Sequence, residues 1–336
     1  MGRQRRQAGR RRDHPLRDGL LTACAIAAGA LAPRRAQAHE GEPLAPHDLL
    51  AAWVLEPGIV LPLLLSAVLY FAGLRALWRT ERGRGIRRWE AGAFLAGWLA
   101  LVLALISPLH PLGEVLFSAH MTQHVLIMGI AAPLMVLGRP MIPFLWALPM
   151  SWRRSAGAWA KVGPVRALWG ELTRPFTAFA LQAVAIVLWH VPVLYDATVV
   201  SDWVHTLQHA TFLATALLFW WALIHGRERR LGHGVAVLYL FLTLMISGGL
   251  GALLTVAPRP WYTAYADVTS AWGLTTLEDQ QLAGLIMWIP AGLPYLIAAL
   301  LLLFAWLRES ERRAARWEAP GALDGRGYRD PSLRSG

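Results

Sequence analysis

GIVLPLLLSAVLYFAGLRALW (residues 58–78) is followed at once by RTERGRGIRR (79–88). Twenty-one residues with a single charge, Arg75, are long enough to cross a bilayer as a helix, and the arginines behind them mark the side on which the helix stops. The same juxtaposition recurs along the chain. Apolar runs are expected to form spans at about 58–78, 91–109, 115–138, 175–195, 203–225, 234–256 and 282–307. Pro133, Pro192, Pro290 and Pro294 fall inside runs, where neighbouring helices can satisfy freed carbonyls. Met141 to Pro149 is short and bounded by proline, so it reads as interfacial.

Composition agrees. The 336 residues are 56% hydrophobic and 16% charged, too apolar for an ordinary soluble domain. The formal net charge of +11 does not point to nucleic acid, because the arginines cluster between apolar runs. Loop 79–90 carries Arg79, Arg82, Arg84, Arg87 and Arg88, loop 139–174 six basic residues, loop 226–233 three, and the tail after Leu307 seven. The alternate connections, 39–57, 110–114, 196–202 and 257–281, hold only Arg259. The positive-inside rule then orients an all-α polytopic bundle of seven transmembrane helices, N-terminus outside and C-terminus inside. Such a protein belongs in the bacterial inner (plasma) membrane, in contact with lipid.

The ends read differently. A basic stretch, a short apolar run (Gly19–Ala32) and AQA at Ala36–Ala38 have the layout of a signal peptide over 1–38. Cleavage there would leave His39 at a free amine, with His47 nearby, a Cu(II) chelate or a solvated tether. Residues 39–57 form an extracytoplasmic segment, 58–307 the membrane domain, and 308–336 an Arg-rich cytoplasmic tail expected to be disordered. Cys24 is the only cysteine, which excludes disulfides and thiolate metal sites from the remainder.

Against that map, two pentapeptides rhyme: HMTQH (His120–His124) and HTLQH (His205–His209). Each lies in the first turns of a span entering from outside, and His190 lies near the outer end of the span between them. At 1.5 Å per residue all five lie within roughly 3–14 Å of the outer boundary. Residues four apart share a helix face, so each pair can aim two imidazoles at one point. Intramembrane polar groups are costly and face partners. Those partners are either a metal, for which neutral imidazole is the commonest ligand, or each other, Gln123, Gln208 and backbone carbonyls. Without thiolate, copper suits such a site better than structural zinc. Met121 and Met128 are accessory candidates or plain packing residues. Haem is the alternative cofactor, although it asks for one histidine per helix rather than a pair.

The last span opens on LEDQQLAGLIMWIP. Asp279 reads either as an outer-sphere partner that orients a histidine ring or as a cap of its own helix. The same two readings apply to Asp196 and Asp202. Gly248, Gly249 and Gly251 read as close-packing residues. No Walker, HExxH or phosphate-binding glycine motif occurs.

SAHMTQHVLIMGIAAPLMVLGRP, WHVPVLYD, HTLQHATFLATALLFWW and LEDQQLAGLIMWIP, in this order and spacing, resemble the membrane CtaG family, the cytochrome c oxidase assembly factors of the type found in Bacillus. The resemblance covers about residues 50–307. It implies a non-catalytic assembly factor that serves an oxidase through the oxidase's copper centres, with cytochrome c oxidase subunits as partners; copper as its own cargo is an inference from the histidine geometry. The family's histidine positions match His120, His124, His190, His205 and His209, and its last-span motif matches Asp279 and Gln280. A metallochaperone is therefore the leading expectation. A haem-binding membrane cytochrome and a metal or proton transporter are the alternatives, the latter disfavoured by the apolar inner halves of the spans.

Overall fold

The computed structural model describes residues 44–81, 85–226, 233–266 and 268–318. The expected signal peptide over 1–38 and His39 lie outside them. Among the described residues the chain is all-α, without strands, and it is a multi-pass membrane protein. Six helices are long and apolar enough to cross a membrane, and a seventh crossing exists if one bent pair counts as a single span.

The first span, α1 (Pro57–Glu81), opens on a proline, whose missing N–H costs nothing at a helix start, and carries Arg79 in its last turn. Helix α2 (Arg88–Leu105) begins with a capping box in which the Glu90 carboxylate accepts the Arg87 N–H at 2.6 Å. Buried Glu90 also lies 3.8 Å from Arg139, which joins two arginine-bearing connections at one end of the bundle. Helix α2 stops at Leu105, four residues short of the expected 109. Pro108 disfavours helical geometry at Ser107, and the Ser107 hydroxyl turns back to donate to the Leu103 carbonyl. A separate short helix, α3 (Leu109–Val115), follows.

The third span is composite. Helix α4 (Phe117–His124) passes into a π-helical segment (Val125–Ala131) and then α5 (Ala132–Leu137). Pro133 has no N–H for the carbonyl four residues before it, and the wide turn lies where the ladder must adjust. The Trp220 indole donates to the Met128 carbonyl at 3.0 Å within that segment.

Helices α6 (Met141–Ala147), α7 (Met150–Trp159) and α8 (Gly163–Leu172) fill the long basic connection. Helix α6 lies across α1, so close that a Cβ on Gly73 would overlap the Pro143 carbonyl. The expected span at 175–195 is shorter than read. Helix α9 covers Pro175–Trp189, about 22 Å at 1.5 Å per residue, and is bent by 63° from α8. Pro192 cuts the run and starts α10 (Pro192–Val200), which leaves His190 in the break.

The fifth and sixth spans, α11 (Asp202–His225) and α12 (His233–Val256), match expectation closely. The last span begins earlier than 282: α13 covers Thr276–Trp288, breaks at Pro290, and continues as α14 (Leu293–Glu318) past the expected boundary at 307. A second capping box, Thr275 with Glu278, accounts for the early start. Of the three clustered glycines only Gly251 makes a close crossing; a Cβ there would stand 2.8 Å from the Gly284 carbonyl. Large apolar side chains such as Leu61, Leu65, Val68, Leu300 and Phe304 are exposed on the first and last spans, where lipid would cover them.

Candidate metal centre

Four elements bring six imidazoles to the end of the bundle opposite the Glu90–Arg139 pair. Helix α4 carries His120 and His124, α11 carries His205 and His209, the α9–α10 break supplies His190, and α3 supplies His110. All six are buried, none more than 8% exposed. The i, i+4 spacing does what the helical repeat dictates: the His205 and His209 rings are 4.3 Å apart, and His120 and His124 are 4.5 Å apart. Across helices, His120 lies 4.9 Å from His205 and 5.5 Å from His209, and His124 lies 5.4 Å from His209. His190 is more distant, its ring 6.3 Å from His124. One ligand nitrogen each from His120, His205 and His209 falls within 4.8 Å of the other two.

Part of the cluster is internally satisfied. His120 Nε2 lies 3.0 Å from His124 Nε2 and 3.0 Å from Gln208 Oε1, and His190 Nδ1 lies 2.7 Å from the Ile186 carbonyl. Gln123 Nε2 donates to the Ala104 carbonyl at 2.9 Å and lies 3.3 Å from His110 Nδ1. Four buried ring nitrogens nevertheless have no hydrogen-bond partner: His124 Nδ1, His190 Nε2, His205 Nε2 and His209 Nε2. A buried, unpartnered polar atom costs about 1–3 kcal/mol. Four such atoms at one place fit a set of neutral donors for a cation. Burial favours that neutral form, and it lowers the pKa of His110 to about 4.

The surroundings hold the rings in place. Asp279 of α13 binds no histidine and does not cap its own helix. Its carboxylate accepts the N–H groups of Phe117 at 2.6 Å and Ser118 at 3.1 Å, and the Ser118 hydroxyl. It therefore caps α4, the helix bearing His120 and His124, from across the bundle. The structure thus gives this carboxylate partners on another helix, a role that neither reading from sequence named. Gln280 accepts the Trp261 N–H at 2.6 Å and fastens the connection before α13. That connection covers the cluster with tyrosines: Tyr262 donates to the His190 carbonyl and Tyr265 to the Gly113 carbonyl, each at 3.0 Å, while the Tyr195 and Tyr265 hydroxyls are 3.2 Å apart. Burial raises the pKa of Tyr265. Asp196 anchors the same connection by accepting from the Thr263 hydroxyl at 3.0 Å, and Asp202 stands in the first turn of α11.

The accessory candidates separate. Met121 is buried in an apolar cluster with Phe117 and Trp189, and the Met128 sulfur accepts from Gln182 at 3.3 Å. His47 is exposed beside Asp48, 3.3 Å away, on a 3₁₀ turn. His110 and Glu114, absent from the expected site, do reach it. Their i, i+4 spacing in LHPLGEV was the available signal.

The family described as cytochrome c oxidase caa3 assembly factor matches residues 68–309. Uncharacterized proteins of Mycobacterium bovis and Mycobacterium tuberculosis are each 30% identical over 299 residues, covering 85% of this chain and 44% of theirs. One of Mycobacterium leprae is 29% identical over 242 residues, covering 68% of this chain and 36% of its own. The chain thus spans less than half the length of these relatives. No solved structure matches it.

Proposed function

The chain belongs to the cytochrome c oxidase caa3 assembly factor family, and on that premise we propose that it is a non-catalytic copper carrier that serves maturation of the oxidase. The observation that carries this reading is the convergence of His120, His205 and His209 within 4.8 Å, beside buried ring nitrogens that the protein itself leaves without partners. The helical repeat explains the His120–His124 contact and helix packing the His120–Gln208 contact. It gives no role to the open nitrogens of His205 and His209. A neutral, all-imidazole donor set with no thiolate suits copper.

His120, His205 and His209 form the holding set in this reading, with His124 and His190 as neighbours able to exchange into it. Asp279 keeps α4 in register, and the tyrosine cover keeps bulk water from the donors. Labile release follows from neutral ligands, because no anionic group offsets the charge of the cargo. In this reading, which the arginine distribution supports, this end of the bundle lies at the outer face of the bacterial plasma membrane, where a recipient oxidase subunit would meet it.

The test is metal analysis of the purified protein after copper loading, beside a variant with His120, His124, His205 and His209 all replaced by alanine. Copper is expected in the first and absent from the second, with no Soret absorption in either. Equal copper in both would defeat the proposal, and a Soret band in the unaltered protein would assign it to the cytochromes instead.

A further inference from the structure

His205 belongs to two ligand groups. Besides its place with His120 and His209, it offers a ring nitrogen within 4.8 Å of ligand atoms of His110 and Glu114. The His110 and His205 rings stack at 5.1 Å with 17° between their planes. One member of each group and the histidine they share border one space: a cavity of about 280 Å³ is lined by His110, His205 and His209, with Pro62, Leu105 and Leu213 in its apolar wall. The groups differ in depth and charge. His120 and His209 are buried, whereas Glu114 is exposed on the short helix α3 and adds an anionic oxygen.

We propose that His110, Glu114 and His205 form a second, superficial metal position, at which a divalent cation such as Cu(II) is first captured before passing to the buried histidines. Mixed nitrogen and carboxylate donors suit a divalent ion arriving from water. Because His205 serves both positions, the ion moves inward by exchanging His110 and Glu114 for His120 and His209 while one ligand stays bound. Both positions draw on the one imidazole of His205 and act in sequence on one ion. No redox step is involved, and the proton balance is confined to whatever ligand protons the cation displaces. The inference rests on the copper-carrier reading of the buried histidines.

Glu114→Gln tests it by removing the charge while keeping the size and hydrogen-bonding capacity of an exposed side chain. With Cu(II) as the probe, stopped-flow mixing should show loading slowed on the order of tenfold in the variant, with the same final copper content as the unaltered protein. An unchanged loading rate overturns the proposal. A second pair removes the dependence on rate. His209→Ala should still hold Cu(II) and give an electron paramagnetic resonance signal, and His209→Ala/Glu114→Gln should lose it. If His209→Ala holds none, or if the double variant holds as much as His209→Ala alone, the superficial position is wrong. Failure of the carrier reading looks different: the unaltered protein then takes up no copper.

Discussion

The Asp279 carboxylate accepts the Phe117 N–H at 2.6 Å, across 162 positions of sequence, and so ties the last span to the start of the third. The first turn of a helix exposes N–H groups and the positive end of its dipole, and a buried anion there satisfies both. His120 and His124 follow on the same short helix, so this contact sets the rotation and depth at which their rings enter the cluster.

Asp279→Asn removes the charge and replaces one acceptor oxygen with a donor facing the Phe117 and Ser118 groups. A loss of about 1–3 kcal/mol in stability is expected from the mismatched buried donors. Copper affinity should fall by about 10–100-fold, the usual effect of disturbing groups that orient ligands. Thermal unfolding in detergent and chelator competition read the two effects separately. A variant that loses stability but keeps full copper affinity would show that α4 does not need this cap to place its histidines.

The second prediction concerns pH. The Glu56 pKa is raised, first by burial and then by the like charge of Asp202 at the start of α11. A carboxyl with a raised folded-state pKa binds more protons folded than unfolded, so stability falls as pH rises through its titration from about 4.5 upward. Glu56→Gln abolishes that loss. It should stabilise the protein at pH 7 by a few tenths of a kcal/mol, given the partial exposure of the group, and by nothing at pH 4. Unfolding midpoints measured across that range test it; an equal effect at both ends would mean that charge is not the cause.

Much of this architecture was legible because the membrane imposes a coarse code. Apolar length and arginine position located α1, α11 and α12 within a few residues, and the i, i+4 rule correctly put His205 beside His209. The misread boundaries are those set by particular side chains, through their hydrogen bonds or, for proline, through a missing N–H. Ser107 and Pro108 end α2 early, Pro192 splits the run at 175–195, and the Thr275–Glu278 box starts α13 before its apolar stretch. The role of Asp279 was out of reach for a different reason. Its partners lie on another helix, and periodicity describes only faces within one helix. His110 and Glu114 escaped because they were placed in a connection, where a shared helical face was not sought.

The third prediction tests the crossing of α12 and α13. A Cβ on Gly284 would stand 2.6 Å from the Gly251 carbonyl and from the Thr255 amide nitrogen, all rigid backbone of α12. Gly284→Ala must therefore push α12 and α13 apart, at a cost of about 1–3 kcal/mol by analogy with overpacked cores. Gly249→Ala, with nothing within 4 Å of the added methyl, is the control and should leave the unfolding midpoint unchanged or slightly raised, since alanine loses less backbone entropy in a helix. Equal effects of the two substitutions would contradict the close crossing.

The last prediction links cargo to stability. A ligand that binds only the folded protein raises its stability by about 2.7 kcal/mol when its free concentration is 100 times Kd. Copper should therefore raise the unfolding temperature of the unaltered protein, and the rise should vanish in His205→Ala, which takes a ligand from both positions around the cavity. In His47→Ala the rise should persist in full, because His47 is exposed beside Asp48 and outside both ligand groups. His205→Ala also removes an unpartnered buried nitrogen, so its copper-free stability need not fall by the amount usual for a core deletion. The informative quantity is accordingly the difference between the copper-loaded and copper-free midpoints of each protein. A copper-induced rise in His205→Ala as large as that of the unaltered chain would place the binding groups elsewhere.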